Sequence, residues 1–425
     1  MPKDLINSVP FYKNAIFFHL FLFFFIVFFQ QTHCHEANAQ YIMPVELSQA
    51  DRTQSNLQLG PVRLHPMFAI SEIFDSNIFD LPNNEKSDLI TMYSPGIDLF
   101  LPIRGLKSKF NVGYLANFLD YRKNPDQGHV NQYVDGSWET ALPRGLSIRL
   151  HDRFEDTQTP PTYSLIYGSL VQRTRRRSNY FTTTVTLPNY FARFGSEISY
   201  SNNDHRYDGT YKGWDYNEQE ISTRLTYKLL TKLDTLTEFN YGMRDYNSDT
   251  VSDSTLYEAL AGLQWKETAK TSGILKIGYR VRHYEEEGYN QYNGVIFSLE
   301  SKTRLNTVTD FSVMLQKGQQ EVIGMPEKSF YDISSVYLTF RRKLTKKIEG
   351  SLSNYYQFID IPARENTPDV KYFTWGVRTS LEYHIQKWLF AELSYWFENR
   401  NAESDDPKYV GRDKNVITFT IGAAF

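Results

Sequence analysis

Residues 372–398 read YFTWGVRTSLEYHIQKWLFAELSYWFE, and their alternation decides the fold. Phe373, Trp375, Val377, Thr379, Leu381 and Tyr383 fall on one face of an extended strand, against Thr374, Gly376, Arg378, Ser380 and Glu382 on the other. A short connection through Ile385, Gln386 and Lys387 follows. Leu389, Ala391, Leu393, Tyr395 and Phe397 then oppose Glu392, Ser394 and Glu398. GILKIGYRVRHY (273–284) repeats the pattern, and NVITFTIGAAF (415–425) sets Ile417, Phe419, Ile421, Ala423 and Phe425 on one side. One face is apolar and aromatic; the other carries charges.

From about Pro61 onward this rhythm holds, with connections that alternate between short and long. PIRG, LPRG, LPNY, ETAKTS, KLTKK and HIQKW are short, while LPNNEKSD, NPDQGHVN, NDHRYDGTYKGWDYN, NSDTVSDS and NAESDDPKYVGRD are long and polar. An up-and-down meander makes this pattern, because turns at one rim stay tight while loops at the other grow. The sequence therefore predicts an all-β chain: a transmembrane, antiparallel up-and-down β-barrel of about eighteen strands over 61–425, with both ends at the periplasmic rim. A propeller would need a blade repeat of about 40–50 residues, and none recurs. A sandwich would need shorter strands at closer spacing.

Composition agrees. Aromatic residues make up 16 % of 425, with 30 Tyr and 30 Phe, yet the net charge is −3 and mean hydropathy is −0.49. A barrel with an apolar outside and a wet inside reconciles the two. Tyr121, Tyr207, Tyr246 and Tyr284, where strands run out into long loops, are expected in an interfacial girdle. The balanced charge gives no case for nucleic acid, and no phosphate-cradling glycine motif follows a strand.

Lys3 and Lys13, the apolar run from Ala15 to Phe29, and Ala37 and Ala39 in an A-x-A arrangement predict a signal peptide, 1–39, cleaved after Ala39. A periplasmic lead, 40–60, follows. Cys34, the one cysteine, lies in the removed segment, so the mature chain has no thiolate metal site. His151, His205, His283 and His384 are scattered, with no nucleophile or carboxylate at a catalytic spacing. The expectation is a non-enzyme without cofactor or metal.

If lipid takes the apolar face, the lumen receives Arg149, Arg153, Arg193, Arg224, Lys276, Arg280, Arg282, Arg378, Glu382 and Glu392, among other charges of both signs. They line a hydrated channel, or they pair across strands to hold the wall. The loop over 157–177 stands apart, with two prolines, an apolar middle and Arg173, Arg175, Arg176 and Arg177. Folded inward, Arg175, Arg176 and Arg177 would form a constriction that favours anions; folded outward, they would bind lipopolysaccharide phosphates.

GPVRLHPMFAISEIFDSNIFD (60–80) and SDLITMYSPGIDLFLPIRG (87–105) resemble the opening of outer-membrane β-barrel porins encoded beside exopolysaccharide assembly genes. Asp75, Ser76, Asn77 and Ser94-Pro95-Gly96 carry most of the likeness, and later strands match by pattern. The resemblance implies a bacterial outer-membrane location, lipid and lipopolysaccharide as neighbours, and a passive conduit for exopolysaccharide working with periplasmic export components. A porin for small-solute uptake and a structural or adhesive barrel are the alternatives. A final Phe425 on an alternating strand resembles the signal read by the barrel-assembly machinery.

Overall fold

The computed structural model describes residues 57–103, 107–158, 174–191, 193–248, 251–268, 270–286, 291–321, 330–363, 369–404 and 411–425. The expected signal peptide, and the lead as far as residue 56, lie outside them.

A short strand β1 (Leu57–Leu59) precedes β2 (Val62–Asp75), β3 (Asp88–Ile103), β4 (Ser108–Tyr121), β5 (His129–Ala141), β6 (Ser147–Thr157) and β7 (Arg176–Phe191). There follow β8 (Phe194–Tyr207), β9 (Tyr216–Leu230), β10 (Leu233–Tyr246), β11 (Ser254–Thr268), β12 (Thr271–Tyr284) and β13 (Tyr292–Asn306). The last are β14 (Thr309–Glu321), β15 (Phe330–Lys343), β16 (Ile348–Ile361), β17 (Val370–His384), β18 (Leu389–Glu403) and β19 (Arg412–Ala424). Each of β2–β19 pairs antiparallel with the next, and β19 returns to β2, closing an 18-strand barrel. Most strands run 13–16 residues. At about 3.3 Å per residue and a tilt near 40° they outspan an apolar band of about 25 Å, so the long-loop ends stand clear of the membrane.

The seam spans nine partner pairs, from Val416↔Asp75 to Ala424↔Met67. Below it the Phe425 amide donates to the Pro66 carbonyl at 3.1 Å, and β1 takes over the same edge of β2 through Leu59↔Val62 and Leu57↔Leu64. The end of the expected lead is thus strand, and it pairs backbone that the last strand stops short of.

The pleat sorts the side chains. Phe68, Ile70, Ile221, Ile277, Phe419 and Ile421 are exposed on the outer wall, where lipid is the solvent. The tyrosines at the strand ends are a correction: Tyr121, Tyr207 and Tyr284 are 3 %, 2 % and 6 % exposed and point inward. Tyr246 faces Tyr216 on the same inner side. The period of two requires it, since Tyr284 shares parity with the inward Arg280 and Arg282. Tyrosines on the outer wall include Tyr200, Tyr241, Tyr257, Tyr279, Tyr356 and Tyr395.

Two apolar clusters lie on the inner wall near the long loops. One joins Ile73, Ile90, Met92, Leu119, Tyr121 and Val416 to Ile78 of the loop after β2. The other joins Tyr331, Ile333, Ile359, Ile361, Val370 and Tyr372 of β15–β17.

Between β11 and β12 the sheet tolerates no Cβ at Gly278, where one would stand 2.2 Å from the Ala259 carbonyl oxygen and 2.9 Å from the Leu260 Cα. Gly278→Val forces backbone apart and is expected to cost at least about 1–3 kcal/mol. The check is the temperature at which the compact, heat-modifiable band disappears in an electrophoretic melt; it should fall clearly below that of the parent.

Candidate functional site

The candidate site is the lumen, and many of its described charges are paired. Arg149 lies 3.6 Å from Glu139 and Arg153 lies 2.7 Å from Glu155. Arg224 bridges Glu197 at 3.2 Å and Glu238 at 2.9 Å. Lys276 reaches the same Glu238 at 3.4 Å across β11, over Gly262, where a Cβ would come within 3.1 Å of its Cγ. Arg280 donates to Glu258 at 2.6 Å, and Arg282 to Ser254 at 3.0 Å with Glu218 at 3.7 Å. These residues form a ladder on the inner face of β5–β12. Arg149, Arg224 and Arg280 are tied to acids of adjacent strands, Arg153 to one of its own strand, Lys276 to one two strands away and Arg282 to one three strands away, so each of these cations has a counter-charge in the wall.

Other candidates fall elsewhere. Arg378 is inward and exposed, between Ser353 and Trp396 in register. Glu382 and Glu392 face each other beside Glu349, and His384 stands 3.2 Å from Glu382. Arg193 corrects the expectation of a lumenal place: it lies in the turn between β7 and β8 and donates to the Tyr227 hydroxyl at 3.5 Å, on the outer side. The reason is the turn itself, which ends the alternation before Arg193.

The expected constriction lies mostly outside the described residues, which omit 159–173. Its arginines do not converge. Arg176 enters β7 on the inner side, 3.8 Å from Glu155, while Arg177 points outward to Asp208 at 3.0 Å. Arg175 bonds Asp156 through Nε at 2.7 Å. Consecutive residues of a strand cannot share a face.

The loop after β2 enters the barrel. Asn77, Ile78 and Asp80 are at most 2 % exposed. Asn77 braces the loop, its Nδ2 donating to the Leu81 carbonyl at 2.7 Å and its Oδ1 accepting the Leu81 amide at 2.9 Å. Asp80 adopts φ 54°, a left-handed conformation that Asp tolerates. Lys414, 1 % exposed, holds Asp75 at 2.9 Å and Asp80 at 3.2 Å, and donates to the Asn77 carbonyl at 3.0 Å. Arg412 lies 3.5 Å from Asp80 and 2.6 Å from Glu398. Arg400 stands 4.0 Å from Glu398, which also accepts the Tyr355 hydroxyl. Three cations thus meet three carboxylates inside the barrel, at the seam. Sequence reading began the last strand at Asn415 and left Arg412 in a loop and Lys414 in neither; their shared parity with Val416 was the available signal.

A second loop crosses the mouth. Between β8 and β9 a 3-10 turn, Gly209–Trp214, is pinned where Asp215 accepts the Tyr207 amide at 2.7 Å. Its Tyr211 packs against the inner cluster of β15–β17, on the far side of the barrel.

Residues 57–421 match the model of the family described as "Putative beta-barrel porin 2". The chain belongs to that family. It is a porin-like β-barrel of the bacterial outer membrane. No curated protein matches it. Among solved structures it is similar to the siderophore receptor PirA from Pseudomonas aeruginosa, at 10 % identity over 85 % of this chain and 80 % of that one, with a TM-score of 0.46. PirA from Acinetobacter baumannii follows at 7 %, 85 % and 80 %, TM-score 0.43. OccAB4 from Acinetobacter baumannii follows at 10 %, 85 % and 98 %, TM-score 0.44.

Lys414→Met leaves Asp75 and Asp80 of the porin buried beside fewer cations, a change expected to cost about 3–5 kcal/mol. Adding Asp80→Asn should recover part of it. Urea unfolding of the single and double variants in detergent measures both.

Proposed function

We propose that the porin is a passive channel for small hydrophilic solutes, without enzymatic activity. The observation that carries this is Tyr211, which seats a loop of one wall against the opposite wall at the long-loop mouth. With Asn77, Ile78 and Asp80 of the loop after β2 also buried inside, the mouth suits compact solutes. Below it, the paired charges and hydroxyls of the inner wall offer many weak contacts and no single tight site, which suits conduction.

Exopolysaccharide export is the second reading, favoured by the inward aromatics. Tyr337 and Tyr355 stack at 5.9 Å with 22° between their planes, and Trp396 donates to the Tyr355 hydroxyl at 3.2 Å. Sugars stack on such rings. A polymer would require the Tyr211 loop to leave its seat.

Tyr211→Ala removes about 1.5 kcal/mol of apolar burial, which shifts the seated population about tenfold toward release. Single-channel conductance should rise, and liposome swelling should admit larger sugars. Unchanged conductance would show that the loop does not narrow the path. Loss of surface polymer on gene deletion, with sugar uptake intact, would favour the exporter instead.

A further inference from the structure

The short turns carry a charge pattern unrelated to the lumen. Seven of the eight contain lysine or arginine, among them Lys107, Arg144, Arg193, Lys232, Lys270 and Lys347, and none of their described residues is an acid. The six named are exposed. The long loops carry both signs, with Asp80, Glu85, Lys86, Lys123 and Asp126 in the first two. A one-signed ring at the periplasmic rim lies at the level of the phospholipid headgroups of that leaflet, within a Debye length of them.

Beneath one arc of the ring the outer wall is hollowed. Leu187, Phe194, Leu225 and Tyr227 stand around the small side chains of Ser196, Thr235 and Thr237, enclosing a groove of about 380 Å³. Six of these seven come from β8, β9 and β10, and all seven share the lipid-facing parity. Phe194 and Tyr227 pack at 4.9 Å at its rim end. There Arg193 rests on the Tyr227 hydroxyl, with its guanidinium exposed, and Lys232 occupies the next turn.

From this juxtaposition we infer that the groove and the two cations form a binding site for an anionic glycerophospholipid of the periplasmic leaflet. One acyl chain fills the groove, where Ser196, Thr235 and Thr237 leave room beside the larger side chains. The phosphate sits on Arg193, whose planar fork matches its oxygens, and Lys232 adds a point charge. The occupant is a lipid because the groove opens into the bilayer, and it is anionic because the described residues of the short turns include cations and no acid.

The full mature porin, purified in detergent, would be titrated with phosphatidylglycerol and, separately, phosphatidylethanolamine of the same chains, and bound lipid counted by native mass spectrometry. The expected result is tighter retention of phosphatidylglycerol. Arg193→Gln with Lys232→Gln should weaken it at least about fivefold, the effect of a single lost cation near a membrane surface, and weaken phosphatidylethanolamine, whose ammonium offsets its phosphate, by less. Ser196→Leu with Thr237→Leu should weaken both lipids by filling the groove. These positions lie on the outer wall and turns, so the heat-modifiable band verifies folding. Equal retention of the two lipids, or a charge-neutralised variant that holds phosphatidylglycerol like the parent, would overturn the site. So would an unchanged lipid preference together with a shifted reversal potential, which would assign the cations to the cargo.

Discussion

In hydrocarbon, a backbone amide without a partner costs several kcal/mol, and water is not there to supply one. A sheet that spans a membrane must therefore close. Here closure falls to β19 and β2, strands separated by almost the whole chain, and everything else follows from it. Closure fixes which residues face lipid, because every strand inherits its parity from the pair before it. It also explains β1, whose three residues cover the edge of β2 that β19 leaves open beyond Phe425. A barrel with a nick in its ladder would present the unpaired edge that closed sheets exist to avoid.

The same seam carries the densest buried charge described. Lys414, Arg412 and Arg400 come from the last two strands, Asp75 from the first barrel strand and Asp80 from the loop that follows it. Such a cluster adds little net stability, since desolvation takes back most of what the pairing gives. Its value is geometric. It can be satisfied in one register only, so a slip of β19 against β2 would part Lys414 and Arg412 from Asp75 and Asp80. Ile78 beside Ile73, Ile90 and Met92 adds an apolar contact that also exists only when the seam is correctly joined.

Much of this is legible in the sequence. Alternation and the turn-taking of short and long connections yielded class, closure and strand number, because each is a local pattern repeated along the chain. Inward placement of Arg149, Arg153, Arg224, Lys276, Arg280 and Arg282 followed from parity alone. Parity was also what the girdle expectation for Tyr246 and Tyr284 overlooked, since composition at a strand end says nothing of direction. Arg193 was misplaced because alternation was extended into a turn. The lumenal loop was illegible for another reason: Lys414 and Asn77 are 337 positions apart, and no local pattern reports which distant carboxylate a lysine will meet. DSNIFD could be recognised as a likeness, but its function as an anchored segment appears only when the seam is assembled.

The seating of Tyr211 has a mechanical side. A barrel wall is stiff along its strands but bends easily around its circumference, so a cylinder this wide can flatten toward an oval under lateral pressure. A loop rooted between β8 and β9 and lodged against β15–β17 acts as a spoke across that circle. Flattening along the spoke compresses it, and flattening across it draws Tyr211 from its seat and exposes the apolar cluster behind it. The cross-section at the mouth is therefore coupled to the free energy of one buried tyrosine, so that the aperture and the roundness of the barrel are a single variable.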